Sequence, residues 1–191
     1  FLVAYLFYND GIQTVIGQSS LYAQLELGMS TSNVMITFVL TQFVAFGGAL
    51  LFGRVAARLG AKRTVLIGIA IWFGVVSVAF FLPSGVFGAL LALGASIGLV
   101  MGGTQALSRS MYSQLVPRGR ESEYFSFYQA MERGTSWLGT LSFALVYQFS
   151  HSYRLAILTL VLFFLVGGVL LSRVDMRRGI IQAGNSLPKV L

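Results

Sequence analysis

Long apolar runs separated by short polar connections dominate this chain. Residues 27–53 contain 27 consecutive uncharged residues and residues 64–108 contain 45, whereas about 20 helical residues cross a bilayer. Pro83, Ser84 and Gly85 interrupt the longer run with residues typical of a tight turn, which predicts a helical hairpin. The apolar runs are continuous rather than alternating, and this disfavours transmembrane β-strands.

The pattern therefore predicts an all-α polytopic membrane protein, with a six-helix transmembrane bundle over residues 1–172. Each apolar run is long enough to cross a bilayer as a helix. The six predicted helices lie near residues 1–21, 33–53, 64–82, 86–107, 125–148 and 154–171. Residues 173–191 form a polar tail.

Composition narrows the possible functions. Of the 191 residues, 56% are hydrophobic and 10% are charged, against about 25% charged in soluble domains. The net charge of +7 is compatible with nucleic-acid binding, but the basic residues flank apolar segments, and this favours a role in membrane orientation. With no cysteine and one histidine, we expect no metal, no cofactor and no enzymatic activity.

The basic residues predict the orientation. Eleven lie in connections or the tail on one side of the predicted membrane, and only Arg154 lies on the other. Lys and Arg are enriched in cytoplasmic loops, so both ends are expected in the cytoplasm, in a bacterial inner membrane. Because the chain begins with Phe1 rather than Met, we expect a piece of a longer protein.

Ionisable and amide side chains inside the apolar segments are candidates for a solute or proton pathway, because such groups are costly in a bilayer. Asp10 lies near the middle of the first segment, and Gly11 is expected to cause a local helix break there. The alternatives are that Asp10 lies near an interface or pairs with Arg133. The full candidate set is Asn9, Asp10, Gln13, Gln105, Glu132 and Arg133.

A ridge of small residues on the fourth segment has a different interpretation. Gly94, Gly98 and Gly102 recur every four residues, so they share one face of a helix and permit a second helix to approach closely. We therefore expect them to pack against another helix.

The connection after the second segment, residues 53–63 (GRVAARLGAKR), resembles a loop signature of the major facilitator superfamily. The resemblance lies in two glycines, expected to form a tight turn, and in basic residues expected at the cytoplasmic interface. The matching positions are Gly53, Arg54, Arg58, Gly60, Lys62 and Arg63. Ala57 stands where the superfamily often has Asp, and a basic loop that only orients the protein is the alternative.

Longer strings resemble one branch of that superfamily, the vacuolar effluxers, which include autophagy-related amino-acid exporters and bacterial relatives. The strings are residues 7–15 (FYNDGIQTV), 103–110 (GTQALSRS), 117–125 (PRGRESEYF), 132–137 (ERGTSW) and 153–156 (YRLA). Their register is that of helices seven to twelve, so the chain resembles the C-terminal half of a twelve-helix transporter.

The resemblance implies a secondary transporter that works by alternating access and exports amino acids or similar small solutes. Its expected partners are the lipid bilayer, a small-molecule solute and the N-terminal six-helix half of the same transporter, and not nucleic acid. Transport of sugars or other small molecules and a non-transporting scaffold or receptor remain alternatives.

Overall fold

The computed structural model describes residues 1–133, 137–188 and 190, and in this part of the chain all the regular structure is helical. This confirms the all-α prediction. A π-helical turn, Tyr22–Glu26, extends the first helix. The helices are α1 (Leu2–Leu21), α2 (Thr31–Leu59), α3 (Ala61–Phe80), α4 (Phe87–Gln114), α5 (Glu121–Arg133), α6 (Trp137–Ser150), α7 (Tyr153–Leu158), α8 (Leu160–Arg173) and α9 (Met176–Gln182).

Four helical stretches among the described residues are long and apolar enough to cross a membrane, namely Thr31–Leu59, Ala61–Phe80, Phe87–Gln114 and Tyr153–Arg173. The first predicted helix is not one of them, although α1 is 20 residues long. The fifth predicted helix, residues 125–148, overlaps α5 and α6, and residues 134–136 lie outside the described residues. The count of six spans therefore stays a prediction.

The boundaries of α2 correct the expectation for the basic loop. The Ser30 hydroxyl accepts a hydrogen bond from the backbone N–H of Asn33 at 3.2 Å and caps the start of α2. The helix continues to Leu59 and ends at Gly60, whose φ of +88° suits glycine. Gly53 was expected to belong to the turn, but it lies inside α2. Gly60 alone makes the turn, because the helix extends six residues beyond Gly53.

The glycine ridge of α4 packs as the sequence predicts. In α4, Gly94, Gly98 and Gly102 face α2, and a Cβ atom at any of them would collide with it. The atoms met would belong to Thr37, Thr41 and Ala45. The two helices form the most extensive helix pair of the structure. Glycine is thus required because the two backbones lie almost in contact.

The expected break at Gly11 does not occur, because α1 is continuous from Leu2 to Leu21. Instead, Gly11 lies against α8, and a Cβ there would come within 3.2 Å of the side chains of Phe163 and Phe164. The glycine serves close packing between α1 and α8. Helix α3 packs against both α4 and α8, so α1, α8, α3, α4 and α2 pack consecutively.

The polar tail returns to the bundle. Asp175 caps α9 by accepting a hydrogen bond from the backbone N–H of Arg178 at 2.9 Å, and Met176 and Ile180 are buried. Beyond α9, the Asn185 amide donates to the carbonyl oxygens of Gln114 and Val116, at 3.0 and 2.8 Å. The tail thus covers the end of α4.

At the end of the bundle opposite the C-terminal tail, Arg154 of α7 holds together the segment after α1 and the end of α3. Its partly buried guanidinium pairs with Glu26 at 2.9 Å. It also donates to the carbonyl oxygens of Phe80 and Leu82, at 2.8 and 2.9 Å, where α3 ends. A guanidinium is suited to this role because its planar donors satisfy several acceptors at once.

We expect Arg154→Ala to lower the midpoint of thermal unfolding in detergent by about 5–10 °C, because charged hydrogen bonds at partly buried positions contribute about 1.5–3 kcal/mol each. Arg118→Ala is the matched control, since Arg118 is exposed and has no ion pair or hydrogen bond within the described residues. Equal midpoints for the two variants would contradict the bridging role of Arg154.

Candidate functional site

The polar residues of α1 are buried rather than open to solvent. Asn9 and Asp10 are 1% exposed and Thr14 is 2% exposed. The free-energy cost of burying an ionised carboxylate without partners is far larger than the stabilisation from a single helix contact. The neighbours of Asp10 therefore decide what this segment can do.

The partner of Asp10 is a backbone group of α6. Its Oδ2 accepts a hydrogen bond from the backbone N–H of Gly139 at 2.6 Å. A Cβ atom at Gly139 would collide with the Thr14 side chain and lie 3.3 Å from the Asp10 carbonyl oxygen. Asp10 and Thr14 thus lie one helical turn apart against the same glycine, and its missing side chain permits the close approach.

Asn9 lies against α5. Its Nδ2 donates to the carbonyl oxygen of Glu132 at 3.4 Å. The structure thus brings together two of the sequence-predicted residues, with Glu132 contributing its backbone rather than its carboxylate. The Glu132 side chain is half-buried, whereas the next residue, Arg133, is exposed.

Three buried oxygen atoms of this α1 segment have no hydrogen-bond partner among the described residues: Asn9 Oδ1, Asp10 Oδ1 and Thr14 Oγ1. A buried unsatisfied polar atom costs about 1–3 kcal/mol, so such atoms call for a ligand, water or proton. All three atoms are able to accept a hydrogen bond, and one belongs to the Asp10 carboxyl group. The segment has the chemistry to receive a proton, a cation or a donor group of a solute.

The remaining pathway candidates lie elsewhere. Gln13 on α1 and Gln105 on α4 are both half-buried, and neither forms a hydrogen bond within the described residues. The structure does not link either glutamine to Asp10. Thr14 was missed by the sequence analysis, although its spacing of four residues from Asp10 was a usable signal.

An aromatic cluster adjoins this polar segment near the beginning of α1. Tyr5 stacks on Tyr128 of α5 with 4.4 Å between ring centroids, and Tyr128 stacks on Tyr112 of α4 at 5.1 Å. The Tyr8 hydroxyl lies 2.7 Å from Ser108 Oγ. These contacts join α1, α4 and α5 near the beginning of α1, and their partners are too far apart in sequence to be paired by inspection.

The basic loop binds a neighbouring helix through one residue. Lys62 Nζ donates to the carbonyl oxygens of Ser172 and Val174, at 2.8 and 2.7 Å, and so caps the end of α8. Arg54, Arg58 and Arg63 are exposed and make no ion pair or hydrogen bond within the described residues. Within the described residues, Lys62 is thus the basic residue of this loop that holds a neighbouring helix.

A cavity of about 140 Å³ lies between α1, α2, α3 and α4. Its walls are mainly apolar, and its polar groups include Ser19 and Ser20 of α1 and Thr37, Thr41 and Gln42 of α2. An apolar pocket with a few polar groups is the usual form of a site for a small organic ligand.

Four apolar helical stretches of membrane length identify an integral membrane protein, and a carboxyl and an amide side chain lie buried on α1. The family described as Vacuole effluxer Atg22 like matches residues 1–184. The chain belongs to this family, which confirms the resemblance.

Related proteins agree with that assignment. An MFS-type transporter named YxiO from Bacillus subtilis (strain 168) is 33% identical over 190 residues, which cover 98% of this chain and 44% of that protein. Autophagy-related protein 22 from Kluyveromyces lactis is 32% identical, over 94% of this chain and 38% of its own length. The corresponding protein from Saccharomyces cerevisiae is 30% identical, over 94% of this chain and 36% of its own length. The chain spans less than half the length of these relatives.

Proposed function

We propose that this chain is the C-terminal half of a secondary transporter that exports amino acids or similar small solutes. The family assignment supports transport, and the chain spans 36–44% of the relatives' length, somewhat less than one half. The observation that carries the proposal is the buried polar segment of α1, because a carboxylate and an amide inside a membrane bundle are costly unless they serve binding or coupling.

In this proposal the chain forms six spans. The first is α1 with its π-helical turn, the next three are α2, α3 and α4, the fifth contains α5 and α6, and the sixth contains α7 and α8. This bundle rocks against an N-terminal bundle around a solute site near the middle of the membrane. Asp10 serves coupling, and the apolar cavity next to α1 favours small solutes with an apolar part.

Counterflow in vesicles tests the transport activity. Vesicles that contain the full-length protein, preloaded with an unlabelled neutral amino acid, are expected to take up the labelled form transiently, at least tenfold above protein-free vesicles. A sugar-loaded series is the control for the alternative substrate class. Counterflow of the sugar alone would overturn amino-acid export, and no counterflow with either class would favour a non-transporting scaffold or receptor.

Cysteine labelling tests the proposed orientation, with both ends of this chain in the cytoplasm of a bacterial cell. The sequence contains no cysteine, so single cysteines report without background from this chain. Ala57→Cys and Ser186→Cys, both at exposed positions, are expected to react with an impermeant thiol reagent only after the membrane is opened. Ser84→Cys, exposed in the turn between α3 and α4, is expected to react in intact cells. The reverse pattern would invert the topology.

A further inference from the structure

A groove of about 540 Å³ lies between the first turn of α3, the end of α8 and α9. Four basic side chains line it: Lys62 and Arg63 from α3, Arg173 from α8, and Arg177 from α9. Asp175 is the one acidic residue of its lining. Residues more than 100 positions apart in sequence thus form one basic depression.

The positive charge of the groove is poorly compensated. The Asp175 carboxylate is already used as the cap of α9, and Lys62 Nζ is held by two carbonyl oxygens, which leave its charge in place. Within the described residues, Arg63, Arg173 and Arg177 form no ion pair and no hydrogen bond, and all three are exposed. Three guanidinium groups with free donors in one groove suit the oxygen atoms of a phosphate group.

The position of the groove favours a membrane lipid over a soluble anion. Arg63 lies in the first turn of one apolar membrane-length helix, and Arg173 is the last residue of another, so the groove lies at the depth of the lipid headgroups. Ile67 and Val169, one turn further into the membrane from these arginines, are exposed apolar side chains. They offer a surface for an acyl chain directly below the basic groups.

We propose that this groove binds the headgroup of an anionic phospholipid, with Arg63, Arg173 and Arg177 contacting the phosphate and Ile67 and Val169 contacting an acyl chain. Lys62 positions the groove by fixing the end of α8 to the start of α3. Binding of the lipid would hold α3, α8 and α9 together at this membrane surface. Basic pockets between membrane helices bind acidic headgroups in this manner.

Native mass spectrometry of the purified full-length protein, titrated with phosphatidylglycerol or phosphatidylcholine, tests the site. The wild-type protein is expected to bind phosphatidylglycerol at least tenfold more tightly than phosphatidylcholine. The variant R63Q/R173Q/R177Q is expected to lose about 100-fold in phosphatidylglycerol affinity, because each arginine near a charged surface contributes about fivefold.

The control variant R54Q/R58Q/R118Q removes the same charge from exposed arginines outside the groove, and its affinity is expected to fall less than fivefold. Equal losses in the two triple variants would overturn the proposal in favour of general surface attraction. The single variant R177Q, with an expected fivefold loss, repeats the test should the triple variant fail to fold, and unchanged affinity there would contradict the proposal.

Inorganic phosphate and the variant I67S/V169S distinguish a lipid from a soluble anion. We expect phosphate to compete only weakly with phosphatidylglycerol and the double variant to weaken lipid binding about tenfold. Tight phosphate binding that the double variant leaves unchanged would assign the groove to a soluble anion and overturn the lipid proposal. These measurements need no transport, so their outcome is independent of the function proposed above.

Discussion

The substitution Gly98→Leu should prevent α2 from packing against α4 and lower the free energy of unfolding by more than about 3 kcal/mol. A Cβ at this position would overlap the Thr41 carbonyl oxygen and lie 3.2 Å from the Val44 side chain. Overpacking a core commonly costs about 1–3 kcal/mol, and here the obstacle is backbone, which cannot rotate away. Size-exclusion chromatography and thermal unfolding in detergent would show aggregation or a much lower midpoint.

Gly47→Leu is the matched control for this prediction. Gly47 lies on α2, and a Cβ there would meet nothing within 4 Å. Replacement of a mid-helix glycine at an open site is expected to be neutral or slightly stabilising, because glycine is a poor helix former. If Gly98→Leu unfolded at the same midpoint as Gly47→Leu, the close approach of α2 and α4 would be refuted.

The substitution Asp10→Asn is expected to abolish gradient-driven accumulation of solute in the full-length protein, with at least a tenfold loss, while solute exchange is retained. The asparagine carbonyl can still accept the hydrogen bond from Gly139 N–H, so the contact between α1 and α6 survives. What is lost is the ability of this buried side chain to take up and release a proton or cation. Accumulation under an imposed pH gradient and counterflow without a gradient measure the two activities separately.

Two further variants separate coupling from structure. Asp10→Leu removes the acceptor for Gly139 N–H and is expected to lower stability as well as accumulation. Glu132→Gln changes a half-buried side chain whose carbonyl oxygen, not its carboxylate, meets Asn9. Normal accumulation by both Asp10→Asn and Glu132→Gln at every pH would show that these two carboxylates have a structural role. Coupling would then lie in the other half of the transporter, or the protein would be a facilitator.

Much of the fold was predictable from the sequence because membrane helices are selected by local properties. The turn at Pro83, Ser84 and Gly85 separates α3 from α4 as predicted, and the glycines of α4 form a packing face. Helix ends were predicted less well, since α2 runs past Gly53 and α4 continues to Gln114. Polar and basic residues mark the membrane boundary, whereas a helix continues until its backbone is capped or turned.

The buried polar residues of α1 were predictable as residue types, but their contact partners were not. An acidic residue in an apolar run stands out by its cost, which is why Asp10 and Asn9 were identified. Their contacts depend on Gly139 and Glu132, which lie 129 and 123 positions away. The expected break at Gly11 was wrong, because glycine in a helix is used either for a bend or for close packing, and only the neighbouring α8 distinguishes these uses.

The sequence by itself determined the helical, membrane-embedded character of this protein, because hydrophobicity and chain length alone decide which segments enter a bilayer. It also showed which ionisable and amide side chains interrupt the apolar runs. The tertiary structure decided their surroundings: Asp10 bonded to a backbone N–H of α6, Lys62 capping α8, and three arginines from distant segments lining one groove. Such contacts depend on how helices pack in three dimensions, and packing joins residues whose separation along the chain carries no signal.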